Sequence, residues 1–169
     1  RLGEVLRRVA AYEERRPVLD GCEYREALQA VSVSGGVAGN VVPDAAEVVL
    51  NHRFAPDRTA DEAFDAVATL LADVVDPGSG DLVELVECAA GAPPGLSNRL
   101  LGGLVARHGL EVRAKLGWTD VARFAELGIP ACNLGPGDAT LAHTAEERVE
   151  RASLERTYAV LHDVLTTGV

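Results

Sequence analysis

A strand-like stretch followed at once by a capped helical stretch is the feature that most constrains this fold. Residues 46–54 alternate in polarity, which predicts a strand with one apolar and one polar face. The apolar face carries Val48, Leu50, His52 and Phe54. Thr59 and Glu62 then have the spacing of a capping box, and apolar residues follow at helical intervals up to Val74. These residues predict a helix that packs on one face of a sheet.

The rest of the first half extends this pattern. Residues 2–14 carry apolar side chains at helical spacing, and residues 22–34 look extended as far as Gly35-Gly36. A third strand is predicted over 82–88. The order helix–strand–strand–helix–strand is that of an α+β, βαββαβ two-layer sandwich whose first strand is missing. We therefore expect further residues before Arg1 in the natural protein.

A proline/glycine hinge, Gly91-Ala92-Pro93-Pro94-Gly95, separates two patterned blocks. We place the domain boundary there, with one domain at 1–92 and another at 93–169. The second block is predicted to be the C-terminal part of an α/β domain. Its predicted elements are a helix capped by Ser97, a strand over 111–115, a helix over 121–127 capped by Asp120, a strand over 131–134 and a final helix with Leu154, Tyr158, Leu161 and Leu165.

Charge and cysteine usage narrow the classes of partner and compartment. The formal net charge of −10 argues against nucleic acid and anionic membranes, which select basic surfaces. No apolar run approaches the length of a membrane-spanning helix. Cys22, Cys88 and Cys132 are far apart and lie in apolar or strand-like stretches. They are predicted to be buried free thiols in a reducing cytoplasm.

Several polar side chains are candidates for a binding site, each with a simpler alternative. His143 follows a Gly-Pro-Gly turn, where an imidazole can ligate zinc or simply lie on the surface. Arg53 suits a carboxylate, or a surface ion pair. Asn40 follows a glycine-rich turn, where it can reach a ligand or only stabilise the turn. Thr119 and Asp120 precede a helix and can bind an anion or cap the helix.

The motifs in this order resemble the M20 family of zinc amidohydrolases over nearly the whole chain. The motifs are Gly39-Asn40-Val41-Val42-Pro43-Asp44, Asn51-His52-Arg53-Phe54, Gly117-Trp118-Thr119-Asp120, Gly128-Ile129-Pro130, and Gly135-Pro136-Gly137 with Ala142-His143 and Glu146. The resemblance implies that residues 1–92 are most of a lid that forms a homodimer. It also implies that residues 93–169 belong to the zinc-binding catalytic domain.

The resemblance also implies roles for particular residues. His143 matches the last zinc ligand, and Asn40 matches a lid asparagine that reaches substrate across the dimer. Arg53 matches an arginine that holds a substrate carboxylate. Thr119 and Asp120 match a substrate-contacting turn. Asp138 lies near a further substrate contact. The resemblance implies that the family's HxD motif, bridging aspartate and catalytic Glu-Glu pair precede this chain, so no catalytic residue is assigned.

The implied activity of the full-length protein is hydrolysis of an N-acyl amide with two zinc ions, for which cobalt or manganese are alternative metals. The favoured substrate is N-succinyl-L,L-diaminopimelate, which would yield succinate and L,L-diaminopimelate for lysine and peptidoglycan synthesis. Acetylornithine and other N-acyl amino acids are the alternative small-molecule substrates. For the chain by itself, a non-catalytic dimerisation module is the rival interpretation, and the chain alone is expected to be inactive.

Overall fold

The protein was examined as a computed structural model that describes residues 1–115 and 117–168. Within these residues the chain is a small α+β structure with two short antiparallel sheets. The strands are β1 (Val18–Leu19), β2 (Cys22–Glu23), β3 (Ala27–Gly35) and β4 (Ala46–Arg53). The helices are α1 (Leu2–Ala10), α2 (Ala60–Leu71), α3 (Arg99–His108), α4 (Val121–Glu126) and α5 (Arg151–Thr167). Two single 3-10 turns lie at Pro77–Ser79 and Ala139–Leu141.

The larger sheet is the antiparallel pair of β3 and β4, in which Ala27 pairs with Arg53 and Gly35 with Ala46. The register shifts between Ala30 and Ser32, so the intervening Val31 is the extra residue of a bulge. The burial of β4 alternates as its sequence predicts, with Val48, Leu50 and His52 on the half-buried side and Glu47, Val49, Asn51 and Arg53 exposed. The alternation fixes which side chains of β4 face away from the helices.

Helices α1 and α2 cover the apolar face of this sheet. Their core is formed by Val5, Leu71 and Val74, against which Val48 and Leu50 of β4 pack. The predicted capping box of α2 is confirmed, because Thr59 Oγ1 accepts from the Glu62 backbone and the Glu62 carboxylate accepts from the Thr59 backbone. Such a cap is worth about 1 kcal/mol. The helix-on-sheet arrangement predicted from residues 46–74 is therefore present.

Three predicted strands do not form in the described residues. Segments 82–88, 111–115 and 131–134 have no ladder partner there, although their apolar residues suggested strands. A strand exists only through hydrogen bonds to a neighbouring strand, and none of the described backbone supplies them. The lid topology predicted from the order of elements is consequently incomplete. Cys88 and Cys132 lie in or beside these unpaired segments, and both are exposed rather than buried as predicted. All three cysteines are free, as predicted.

Helix starts in the second half differ from prediction in their capping groups. Asn98, not Ser97, caps α3, because its Oδ1 accepts from the backbone N–H groups of Leu100 and Leu101 at 3.0 and 3.3 Å. Asp120 occupies the cap position of α4 but makes no capping hydrogen bond with its side chain. The Asp120 carboxylate thus remains unused by its own helix.

The final helix α5 forms where its sequence predicts, but its apolar face is open. Leu154, Tyr158, Leu161 and Leu165 are all exposed, and only Val160 is buried. Helix α5 is joined to α3 by Arg107, whose guanidinium lies 3.0 Å from the Asp163 carboxylate. In the described residues no helix is both long and apolar enough to cross a membrane.

Candidate functional site

A broad cleft of about 1930 Å³ runs between the β4 strand and the segments that follow the proline/glycine hinge. Two of the predicted site residues, Arg53 and Thr119, line this cleft. Arg53 and Thr119 are 66 positions apart in sequence, and both contribute to the lining of this broad cleft. Asn40, Asp120, Asp138 and His143 do not line it.

Arg53 is placed by the end of β4. Its pairing with Ala27 fixes the backbone, and the strand alternation turns the side chain to the exposed face beside Asn51. Among the described residues Arg53 forms no ion pair, so the surface salt bridge considered from the sequence is not found. Arg53 is exposed and lines the cleft, and a guanidinium without an ion partner can bind a carboxylate through two parallel hydrogen bonds.

Thr119 is held in the turn before α4. Its hydroxyl accepts a hydrogen bond from Asn133 Nδ2 at 3.1 Å, and its carbonyl accepts one from the Ala122 backbone. A hydroxyl that accepts from Asn133 keeps its own proton for another acceptor. Trp118, which also lines the cleft, lies under Arg123 with the guanidinium carbon 5.7 Å from the ring centroid. Asn133 and Trp118 therefore orient the turn that carries Thr119.

Asn40 lies apart from these residues, in the exposed loop between β3 and β4. The loop leaves β3 through Gly36, whose φ of +84° favours glycine, and Val41 donates to the Ala38 carbonyl. Nothing in the described chain contacts the Asn40 side chain through a hydrogen bond. Asn40 is exposed and does not line the cleft, although Pro43 and Asp44 at the end of the same loop do.

The glycine turn before His143 is built by local contacts. Asp138 Oδ1 accepts from the Thr140 backbone at 2.9 Å and from the Thr140 hydroxyl at 2.8 Å. These hydrogen bonds hold the pKa of Asp138 below its usual range. The Gly137 backbone donates to Ser153 Oγ at 2.9 Å, which ties the turn to α5. One oxygen of Asp138 is therefore already committed to the turn.

His143 is exposed and has a left-handed backbone with φ of +63°. Its backbone N–H donates to Glu147 Oε2 at 3.2 Å, so that carboxylate is occupied by the loop itself. Across residues 1–115 and 117–168 no three histidine, cysteine or acidic side chains lie close enough together to hold a metal ion. The described residues thus do not form a zinc site, and His143 offers a single ligand.

His52, on the helix-facing side of β4, belongs to the core as the sequence predicts. Its ring lies 6.0 Å from the Tyr12 ring and 5.8 Å from the Phe54 ring, centroid to centroid. Burial lowers the pKa of His52, and the nearby charge of Glu26 only partly opposes this. The neutral imidazole is therefore favoured, and it packs behind the strand that presents Arg53.

A buried carboxylate that the sequence did not indicate anchors the end of β4. Glu26 is only 1% exposed and accepts hydrogen bonds from Arg15 at 2.7 Å and from the Ala55 backbone at 3.1 Å. Burial by itself would raise the pKa of Glu26. The bonds from Arg15 and Ala55 outweigh it, and the pKa lies below its ordinary value of 4.5. Glu26 thereby fixes the corner that follows Arg53.

Comparison with known proteins places this chain among known sequences. The family model described as the peptidase dimerisation domain of M20 enzymes matches residues 12–79, which include β1 to β4 and α2. A putative succinyl-diaminopimelate desuccinylase of Mycobacterium tuberculosis is 56% identical over 149 residues, covering 88% of this chain. The chain belongs to the M20 family. The M20 match and this relative together span both sides of the cleft.

Other M20 relatives share lower identity. The succinyl-diaminopimelate desuccinylase of Corynebacterium glutamicum is 40% identical over 167 residues, covering 98% of this chain. An acetylornithine deacetylase of Myxococcus xanthus is 27% identical over 131 residues, covering 76% of this chain and 34% of that relative. The chain spans 41% of the length of the mycobacterial relative and 45% of the corynebacterial one, which is less than half of either.

Two polar residues that line the cleft were not predicted as site residues, although a feature of the sequence singles out each of them. Asn133 interrupts an apolar run, where a buried strand was predicted and a polar side chain needs a partner. Lys115 is the only lysine of the chain. Both line the same cleft as Arg53 and Thr119.

Proposed function

We propose that the full-length M20 protein hydrolyses the amide of N-succinyl-L,L-diaminopimelate to succinate and L,L-diaminopimelate. The observation that carries this proposal is the placement of Arg53 and Thr119 on one cleft. A guanidinium and a hydroxyl donor there suit a substrate rich in carboxylates. The names of the two relatives with 56% and 40% identity support the choice of substrate. A cytoplasmic location accords with the three free cysteines.

The residues of this chain act by binding and orienting the substrate. Arg53 holds one carboxylate through its donor fork, and Thr119 donates its free proton to another acceptor of the substrate. Asn133 keeps the Thr119 hydroxyl in place at 3.1 Å. Asn40, Asp120 and Asp138 are further proposed substrate contacts. For Asn40, such a contact requires movement of its loop or a second copy of the chain.

A metal ion is proposed to take part, and His143 is proposed as one of its ligands. The described residues do not supply a complete ligand set, so the identity of the metal, zinc or an alternative such as cobalt or manganese, rests on the family resemblance. When bound, such an ion would lower the pKa of a water molecule and make it a nucleophile near neutral pH. The contribution of this chain is then one imidazole and the substrate-binding wall.

The protein is also proposed to form a homodimer through the dimerisation domain at residues 12–79. The family match supports this, as do the exposed valines of the larger sheet. Val31, Val33 and Val49 are 60%, 51% and 40% exposed. Val33 pairs with Val48 and Val49 pairs with Ser32, so these valines lie on both faces of the strand pair, and exposed apolar side chains of this kind favour contact with another protein surface. For this chain alone, dimerisation is the second candidate function, and residues 1–92 and 93–169 remain the proposed domains.

Release of succinate tests the proposed reaction. The purified full-length protein, supplied with divalent metal, should release succinate and a free amine in equal amounts from N-succinyl-L,L-diaminopimelate. Acetate release from acetylornithine under the same conditions serves as the comparison. Turnover of acetylornithine without turnover of the succinyl substrate would replace the proposed activity by that of the other named relative. Dimer formation without hydrolysis of either would leave only the dimerisation function.

A further inference from the structure

Two apolar clusters form the interior of the described residues, and only one of them joins the two proposed domains. The first cluster lies wholly before the proline/glycine hinge, among α1, β4 and α2 with the residues that follow it. The second cluster, here called the joint, contains residues from both sides of the hinge. The joint consists of Leu19, Cys22, Tyr24 and Ala55 before the hinge and of Leu96 and Ala114 after it.

On the side of the first domain, the joint is built on a tight hairpin. Strands β1 and β2 are connected by Asp20-Gly21, whose φ angles of +46° and +78° are typical of the turns that suit short hairpins. The Tyr24 backbone N–H donates to the Pro17 carbonyl at 2.9 Å and extends the hairpin. Leu19 and Cys22 pair across the hairpin, and both belong to the joint. The first domain therefore offers a firm seat to the second.

On the side of the second domain, Leu96 is fixed to helix α3. It lies in a turn in which the Asn98 backbone donates to the Gly95 carbonyl at 3.1 Å. The Leu96 carbonyl lies so close to Gly102 of α3 that a Cβ on this glycine would be 2.7 Å from the oxygen. A residue with a side chain would not fit there. Any movement of α3 therefore moves Leu96 as well.

The joint lies beside both the hinge and the end of β4. Ala55 is 1% exposed and follows Arg53 by two positions, and its backbone donates to the Glu26 carboxylate at 3.1 Å. The hinge itself packs on the same corner, because a Cβ on Gly91 would lie 3.2 Å from the Pro56 Cβ. A rotation of the domains about the hinge therefore acts directly on the corner that follows Arg53.

We propose that the joint is the pivot between the two domains, and that the packing of Leu96 in it sets how far the cleft opens. A contact beside a linker must rearrange in any rotation about that linker, whereas the cleft can widen without loss of another apolar cluster. Leu96 is a positioning residue that acts through Ala55 on the strand carrying Arg53. The inference rests on the proposed function only in treating the cleft as the substrate site.

Spin labels on the two domains of the full-length protein measure the opening. Val42→Cys in the exposed β3–β4 loop and Arg156→Cys on α5 carry the labels, with Cys88 and Cys132 replaced by serine. Dilution with unlabelled protein restricts the measurement to one chain. We expect Leu96→Ala to broaden the distribution of distances at least about twofold, because the shortened side chain leaves the joint loosely packed. Leu96→Met should keep the parental width.

Two further variants serve as controls and as a second test. Leu100→Ala shortens an exposed leucine of α3 and should leave the distribution unchanged. Gly91→Ala leaves the apolar joint intact but wedges the hinge away from Pro56, so the mean distance should shift. Gly3→Ala, with nothing within 4 Å of the added carbon, is its control.

A distribution of parental width in Leu96→Ala would overturn the proposal. If Leu96→Ala does not fold, an unshifted mean distance in Gly91→Ala overturns it instead.

Turnover separates positioning from a general loss of stability. A more open cleft lowers the fraction of protein in which Arg53 and Thr119 are placed for substrate, and the apparent affinity falls by that fraction. We expect Leu96→Ala to raise KM for the succinyl substrate about fivefold, with kcat within about twofold, because saturating substrate holds the cleft closed. Leu96→Met should restore KM.

The two measurements distinguish failure of this inference from failure of the proposed function. A broadened distribution in Leu96→Ala, in a protein that hydrolyses neither substrate, would sustain the pivot while refuting the proposed reaction. Hydrolysis of the succinyl substrate with parental KM and parental distances in Leu96→Ala would refute the pivot alone.

Discussion

The carboxylate of Glu26 accepts a hydrogen bond from Arg15 at 2.7 Å inside a site where Glu26 is 1% exposed. Arg15 also forms two hydrogen bonds with Asp57, at 2.6 and 2.7 Å. These contacts connect the segment before β2 with the corner after β4. The buried ion pair therefore fixes the end of the strand that carries Arg53 into the cleft.

Removing the Glu26 charge should cost much more stability than removing a surface charge. We expect Glu26→Gln to lower the free energy of unfolding by about 2 kcal/mol, because the buried side chain would lose its charge-assisted hydrogen bond from the partly exposed Arg15. Denaturation by urea measures this. Glu14→Gln, which removes an exposed partner of Arg25, is the control and should cost no more than about 0.5 kcal/mol. Equal losses in the two variants would contradict the anchoring role.

The buried imidazole of His52 should make stability depend on pH. Its pKa is lowered in the folded protein from the ordinary 6.5, so the unfolded chain takes up a proton more readily. This stability is present above pH 6.5 and is lost as the pH falls through the folded pKa. The slope from this group is at most about 1.4 kcal/mol per pH unit.

Unfolding free energies between pH 7.5 and pH 5.5 test this dependence. The Glu26 carboxylate stays ionised over this range, because its pKa lies below 4.5. His52→Gln should flatten the loss of stability on acidification. His162→Gln, which changes an exposed histidine of α5, should keep the slope of the parent protein. A parent-like slope in His52→Gln would show that burial does not depress its pKa.

The sequence predicted the helix-on-sheet half well because its signals are local. The alternation of β4, the Thr59–Glu62 capping box and the apolar spacing of α2 each involve residues within one turn or one strand. Segments 82–88 and 131–134 needed partner strands that local composition cannot reveal, and they form none within the described residues. Strand pairing is a tertiary event, so apolar runs alone overpredicted it.

For the site residues too, local features could be predicted from the sequence and tertiary contacts could not. The face of Arg53 could be predicted from strand periodicity, but that Arg53 and Thr119 both line one cleft depends on how two distant segments fold. The burial of Glu26 could not be predicted from the sequence, because a glutamate before a strand is usually solvated. Only the positions of Arg15 and Ala55 make it a buried hydrogen-bond acceptor. The sequence indicated which residue types mattered, and the tertiary structure decided which of them share a cleft.

His143 should be insufficient for tight zinc binding by this chain. Titration of the 169-residue chain with zinc should show no site tighter than about 10 µM, because one imidazole leaves most of the coordination shell to water. His143→Ala in the full-length protein should lower bound metal and activity together. His162→Ala, an exposed histidine outside the loop, is the matched control. Submicromolar binding by the chain alone would mean that its residues form a site not seen in this structure.

The exposed valines of β3 should contribute to dimerisation. Val33→Glu replaces a half-exposed valine of the larger sheet by a charge and should raise the dimer dissociation constant at least about tenfold. Val18→Glu changes an equally exposed valine of β1 and should leave the constant within about threefold. Sedimentation equilibrium gives both constants. If Val18→Glu dissociates the dimer and Val33→Glu does not, the dimer interface lies on the smaller sheet instead.

The specificity constants for two acyl substrates test the central claim most directly. Arg53 lines the cleft without an ion partner among the described residues, and N-succinyl-L,L-diaminopimelate offers a carboxylate on each side of its amide. Acetylornithine lacks the carboxylate on the acyl side. We predict that kcat/KM of the full-length protein is about 10³-fold or more higher for the succinyl substrate. Equal values, or a preference for acetylornithine, would contradict the account.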